Sequence, residues 1–155
     1  MKSLIPLAAL VLCAMTSRVA TASLGDDVTS VEADRVHMKA AAIATSRSAL
    51  YTVHEMQAAG GTTVREFASA DGIVFAVTWK GPFKPDLRQA LGRYFQAYQD
   101  APRAKRQGHS HDVVEQPGLI VHSSGRMRAF VGIAYVPQLV PAGVSVDQLE
   151  GQSFQ

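Results

Sequence analysis

The chain has 155 residues, 15 Lys and Arg against 13 Asp and Glu, and a single cysteine. That small basic excess disappears once the N-terminus is understood, because Lys2 and Arg18 fall in a segment that reads as a secretory leader. Without it, thirteen basic residues face thirteen acidic ones, which argues against a nucleic-acid binder.

The leader has three parts. Lys2 is positive, Leu4 to Met15 is an apolar run interrupted only by Pro6, and Ala20-Thr21-Ala22 is a small-x-small cleavage site. Cleavage after residue 22 makes Ser23 the mature N-terminus. The apolar run falls short of the roughly 20 residues that span a bilayer, so an uncleaved anchor is the weaker reading. Leu12 precedes Cys13 where a lipidation signal wants a small residue. Cys13 leaves with the leader, and the mature chain then has no thiol for a disulfide, a redox site or a nucleophile. The chain also has no asparagine, hence no N-glycosylation acceptor. The expected location is periplasmic or extracellular, with no transmembrane segment in the mature chain. The roughly 133 residues that remain suffice for one domain built on core burial. We place that domain at 23–136, followed by an irregular tail at 137–155 with at most a short helical turn near Val146 to Glu150.

In chain order, residues 28–44 read as a helix. Val28, Val31, Val36 and Ile43 lie on one broad side, and Ala33 and Ala40 to Ala42 are good helix formers. Tyr51 to Gln57 and Thr62 to Ala68 read as strands joined across Gly60-Gly61. Asp71-Gly72 is a hairpin signal, since glycine takes the positive φ of tight turns. Ile73 to Lys80 is the clearest strand. Ile73, Phe75, Val77 and Trp79 alternate with Val74, Ala76, Thr78 and Lys80, which suits a central strand with Trp79 on the core.

Gly81 to Pro85 form a rigid exit loop, and Asp86 with Gln89 makes a capping-box pattern. Leu87, Leu91, Tyr94, Phe95 and Tyr98 then line one helical face. Residues 100–116 read as a surface loop. Leu119 to Ser123 and Met127 to Val136 form a hairpin around Ser123-Ser124-Gly125. The order α-β-β-β-α-β-β implies an α+β two-layer sandwich, an antiparallel sheet of about five strands carrying two helices.

Three stretches carry a family resemblance: Tyr51-Thr52-Val53-His54-Glu55, Gly61 to Glu66, and Trp79-Lys80-Gly81-Pro82-Phe83-Lys84-Pro85-Asp86-Leu87. With the leader and Ala22-Ser23-Leu24-Gly25, they resemble the DUF2844 family of uncharacterised exported bacterial proteins. The resemblance implies export and a single domain. It implies no activity.

The candidate chemistry is sparse. His54-Glu55 lacks the second histidine four residues on that a His-Glu-x-x-His zinc protease needs, since position 58 is Ala58. His109, His111 and Asp112 offer two imidazoles and a carboxylate for zinc or copper, with His37, His54 or His122 available to complete a site. Their spacing matches no established metal motif, and a solvated loop is the stronger reading. Arg103, Lys105 and Arg106 form a short basic run that suits an acidic partner or a membrane surface, or simply solvent. Glu55 and Glu66 lie on neighbouring strands without the other marks of a glycosidase pair. No Gly-x-Ser-x-Gly elbow, phosphate loop or dinucleotide fingerprint occurs, so no cofactor is implied. Trp79 and Phe83 could form a binding lip beside the helix start, although a strand-to-helix turn explains the same residues.

The first expectation is therefore a non-catalytic exported interaction module. It would bind an envelope protein, a peptide or a surface component through an exposed sheet face or edge. The alternatives are a metal- or small-ligand-binding protein centred on His109 and His111, and an enzyme without a recognisable motif.

Overall fold

A computed structural model describes residues 24–41, 43–102 and 111–154. The leader, His109 and the basic run Arg103, Lys105 and Arg106 lie outside the described residues.

One antiparallel sheet dominates. Its seven strands stand in the order β1-β2-β3-β4-β7-β6-β5. They are β1 (Ile43–Arg47), β2 (Tyr51–Gln57), β3 (Thr63–Ser69), β4 (Val74–Gly81), β5 (His111–Gln116), β6 (Leu119–Arg126) and β7 (Ala129–Tyr135). Two meanders, β1 to β4 and β5 to β7, join where β4 pairs with β7. The α+β antiparallel class is as expected, and β4 is central. The sheet is wider than about five strands, because β1 and β5 add an edge on each side.

Each added strand has a physical reason. The helix expected over 28–44 ends early, as a 3-10 turn at Val28–Ser30 and α1 at Val31–His37. Lys39 takes a φ of 52°. The Lys39 amide bonds to Val36 O at 3.1 Å and the Ala40 amide to Arg35 O at 2.9 Å. This is a Schellman stop with lysine where glycine is usual. The chain then reverses, and Ile43–Arg47 pairs with β2 despite the alanines before it. Likewise, His111–Gln116 is a strand inside the expected surface loop, paired residue for residue with β6.

The second hairpin turns later than expected. Ser123 pairs with Gly132, and the chain reverses at Met127-Arg128, with Arg128 at a φ of 62°. Gly125 serves packing instead, since a Cβ there would strike Phe130. At Asp71-Gly72 the expected hairpin forms, with Gly72 at a φ of 80°.

Helical segments cover the two faces unequally. On the first face lie α1 and the run α2 (Leu87–Leu91), a 3-10 turn at Gly92–Tyr94 and α3 (Phe95–Asp100). Asp86 caps α2 by accepting the Arg88 amide at 2.9 Å. Leu91 and Tyr98 are buried, and Leu87, Tyr94 and Phe95 pack against the same core, so the expected helical face is the contact face. Beneath it lie Met56, Val64, Val77 and Trp79. The Trp79 ring occupies the space that a Cβ at Gly132 would need.

The opposite face carries a smaller core of Val53, Phe67, Phe75, Ala76 and Ile133, closed by Leu149. Leu149 belongs to α4 (Val146–Phe154), so the tail expected to be irregular at 137–155 contains a helix that seals this core. Val146 and Leu149 are the main apolar pair on α4, too short a stripe to announce it. A register shift also changes one expected alternation. Phe67 pairs with Ala76 and Ala68 with Val74, so Phe75 is an extra residue on β4. The bulge moves Phe75 off the Val77 and Trp79 face and into the Leu149 core.

Candidate functional site

Strand geometry sorts the candidate residues, because neighbours on a strand point to opposite faces. Asp112 turns to the helix-covered face, where it accepts the Tyr98 hydroxyl and lies 3.8 Å from Lys84 Nζ. His111 turns to the other face. The two therefore do not act as adjacent ligands, and His109 lies outside the described residues. Among the described residues, no three His, Cys, Asp or Glu side chains stand close enough to hold a metal ion.

The same alternation separates the other pairs. His54 sits 3.2 Å from Thr45 Oγ1, and burial lowers its pKa. Glu55 points the opposite way and accepts Arg65 Nε at 2.5 Å. Glu66 is cross-strand from His54, on the face Glu55 avoids, so Glu55 and Glu66 form no catalytic pair. Trp79 is fully buried while Phe83 is 56% exposed, so they do not make a shared lip. Phe83 instead lies against Gly60, and its carbonyl accepts Thr62 Oγ1 at 2.8 Å.

Glu66 has a different partner, one that lies far off in sequence. It meets Asp34 of α1 in the core, and both are fully buried. Gln89 donates to Asp34 from α2, which explains why its side chain does not close the expected capping box. As ionised acids, Asp34 Oδ2 and both Glu66 oxygens would lack any donor. A proton held between the two carboxyls supplies one. Burial pushes Asp34 up to about 6, and burial together with Asp34 pushes Glu66 well above the usual carboxylate range. Sealed from solvent, this dyad ties α1 and α2 to the sheet and cannot touch a ligand.

The accessible chemistry lies on the other face. α4 covers its middle and leaves a groove of about 400 Å³ between α4 and the β5 edge. Val113, Val131 and Ile133 give it an apolar floor, and Glu115 on β5 faces Glu150 on α4 across it. His122 stands between them. Its Nε2 is 3.4 Å from Glu115 Oε1, an electrostatic approach without a directed hydrogen bond, and its Nδ1 is 3.8 Å from Glu150 Oε1. His111 lines the outer end of the same groove. The Tyr135 hydroxyl feels this site too: burial raises its pKa, and Glu150, Glu115 and Asp147 add to the rise. The groove thus joins an apolar floor to a negative rim, which suits a cationic group on an aliphatic stem. Sequence spacing pointed to His111 but not to Glu115, His122 and Glu150 as a group, because α4 brings Glu150 from the far end of the chain.

The model of a protein family of unknown function, DUF2844, matches residues 20–149. The chain belongs to this family. The matched span includes the whole sheet, the buried dyad and the groove residues except Glu150. No curated protein and no solved structure matches the chain. Among the described residues, no helix is long and apolar enough to cross a membrane.

Proposed function

We propose that this chain is an exported, non-catalytic interaction module that takes a basic peptide segment of an envelope partner into the groove between α4 and β5. The observation that carries this reading is the pair of carboxylates, Glu115 and Glu150, set on opposite walls of an apolar floor. A lysine or arginine stem lies along Val113, Val131 and Ile133 while its charged head meets the rim. Export is supported by the charged, apolar and small-residue pattern of residues 1–22, and the family match starts at residue 20, beside the expected cleavage site. Cleavage makes Ser23 the first residue of the mature protein, which intact-mass measurement of material recovered from an envelope or culture fraction tests directly.

Binding is tested with fluorescently labelled lysine-containing pentapeptides and their glutamate counterparts, read by anisotropy. The lysine peptides bind the mature protein, and the glutamate peptides do not. Glu115→Gln together with Glu150→Gln removes the preference. Equal binding of both peptide classes, or a preference that survives the double substitution, rejects the groove as the recognition site.

A further inference from the structure

β5 is an edge strand, and its chemistry differs from that of a protected edge. Natural sheets blunt their edges with lysine, proline, bulges or inward charges, because unpaired backbone groups template another strand. Over His111–Gln116, β5 has no lysine or proline, its register with β6 runs without a shift, and its one inward charge, Asp112, is already met by Tyr98 and Lys84. Among the described residues, no strand pairs with its outer side. At its centre Val113 is 41% exposed, one of the few large apolar side chains left in solvent.

We infer that two copies of this chain pair β5 to β5, antiparallel, about a two-fold axis at Val113. Symmetry and side-chain alternation leave few registers, since directly opposed residues must share a face. An axis at Asp112 sets that carboxylate against its own copy. An axis at Val114 sets Val113 against the Glu115 carboxylate. An axis at Val113 sets Val113 on Val113 and His111 opposite Glu115, twice. The strand is thus self-complementary in one register, with an apolar centre and opposite charges on either side when His111 is protonated.

On the other face the same axis sets Asp112 beside Val114, twice, and that carboxylate keeps its own partners, Tyr98 and Lys84. The opposite edge of the sheet lacks this pattern. An axis at Thr45 of β1 would place Ile43 against Arg47. A two-fold axis perpendicular to the sheet keeps both grooves on one side. Their floors then meet at the seam, and His111 and Glu115 of each copy line a single longer trough. This inference concerns the strand edge and is tested without any peptide, so it stands or falls separately from the binding proposal.

The test is sedimentation of the mature protein from about 10 to 500 µM, a range suited to a small interface near the weak end of specific association. The expected result is a mass that rises with concentration toward that of two chains. Val113→Lys, a charge at the centre of the seam, abolishes the rise. His111→Glu sets like charges opposite each other twice and weakens association about tenfold. Adding Glu115→Lys to His111→Glu restores opposite charges and recovers association. Far-ultraviolet circular dichroism checks that each variant keeps its sheet. A monomer throughout the range overturns the inference. So does a dimer indifferent to Val113→Lys, or a double variant no better than His111→Glu alone.

Discussion

The two faces of the sheet hold the same functional group in opposite circumstances. On the covered face, Asp34 and Glu66 are sealed under α1 and α2, share a proton and serve only to fix helices to strands. On the open face, Glu115 and Glu150 flank His122 at the rim of a groove and remain in contact with water. A carboxylate is not a functional residue by type. Burial converts one pair into a structural joint, and partial cover by a single helix leaves the other pair available to a ligand.

The largest expected effect comes from breaking the covered face. Trp79→Ala removes the biggest buried side chain and leaves a cavity against Gly132. It should cost about 3–5 kcal/mol in urea-unfolding experiments. Leu149→Ala on the open side should cost about 2–4 kcal/mol, at the lower part of the range for such truncations. It also loosens α4, so it should weaken peptide binding where Trp79→Ala, measured on the folded fraction, does not.

The buried dyad sharpens the contrast through pH. A carboxyl whose pKa is raised on folding holds its proton better in the native state. Stability is therefore highest in acid and falls as pH rises above the usual carboxylate range near 4. The fall continues through about 6, where Asp34 ionises, and beyond it as the still higher Glu66 is drawn in. The Asp34 shift alone is of order 3 kcal/mol by linkage. Asp27 and Glu32 titrate lower than usual and oppose this below pH 4, but both are solvated and contribute little; His54, whose pKa burial lowers, opposes it in the imidazole range, so the dyad is read from the difference between the wild type and Glu66→Gln. Urea midpoints between pH 4.5 and 8 should decline in the wild type. Glu66→Gln, which places a neutral amide beside Asp34, should flatten the decline.

The smallest stability effects belong to the rim. Glu115→Gln and Glu150→Gln should each change unfolding free energy by less than about 0.5 kcal/mol, as exposed substitutions usually do. Each should still weaken binding of a lysine peptide by about 0.5–1 kcal/mol, the scale of a solvated ion pair.

Much of the frame was legible because local signals agreed with the final fold. Asp71-Gly72 sets its hairpin, Asp86 caps α2, and the Leu87 to Tyr98 stripe finds the core. The missed features are those in which distant contacts override local preference. Lys39 ends α1 in a conformation usually given to glycine, which hid β1 behind three alanines. β5 alternates His111, Val113 and Glu115 against Asp112, Val114 and Gln116, so its period shows charge as much as apolarity and reads as loop. The bulge at Phe75 inverts the alternation of a strand whose sequence looks regular. Asp34 and Glu66 lie far apart along the chain, and only the packing of α1 on β3 makes them a pair. The groove is hidden for the same reason, since Glu150 arrives on a helix with few apolar residues to mark it.

Methyl and amide chemical-shift mapping with a lysine pentapeptide tests most directly whether the open face is the working face, because both faces report in one titration. Saturable shifts are expected at Val113, Val131 and Ile133, with Val64, Val77 and Leu91 unchanged. Shifts confined to the covered face, or none on either face at millimolar peptide, would contradict this expectation.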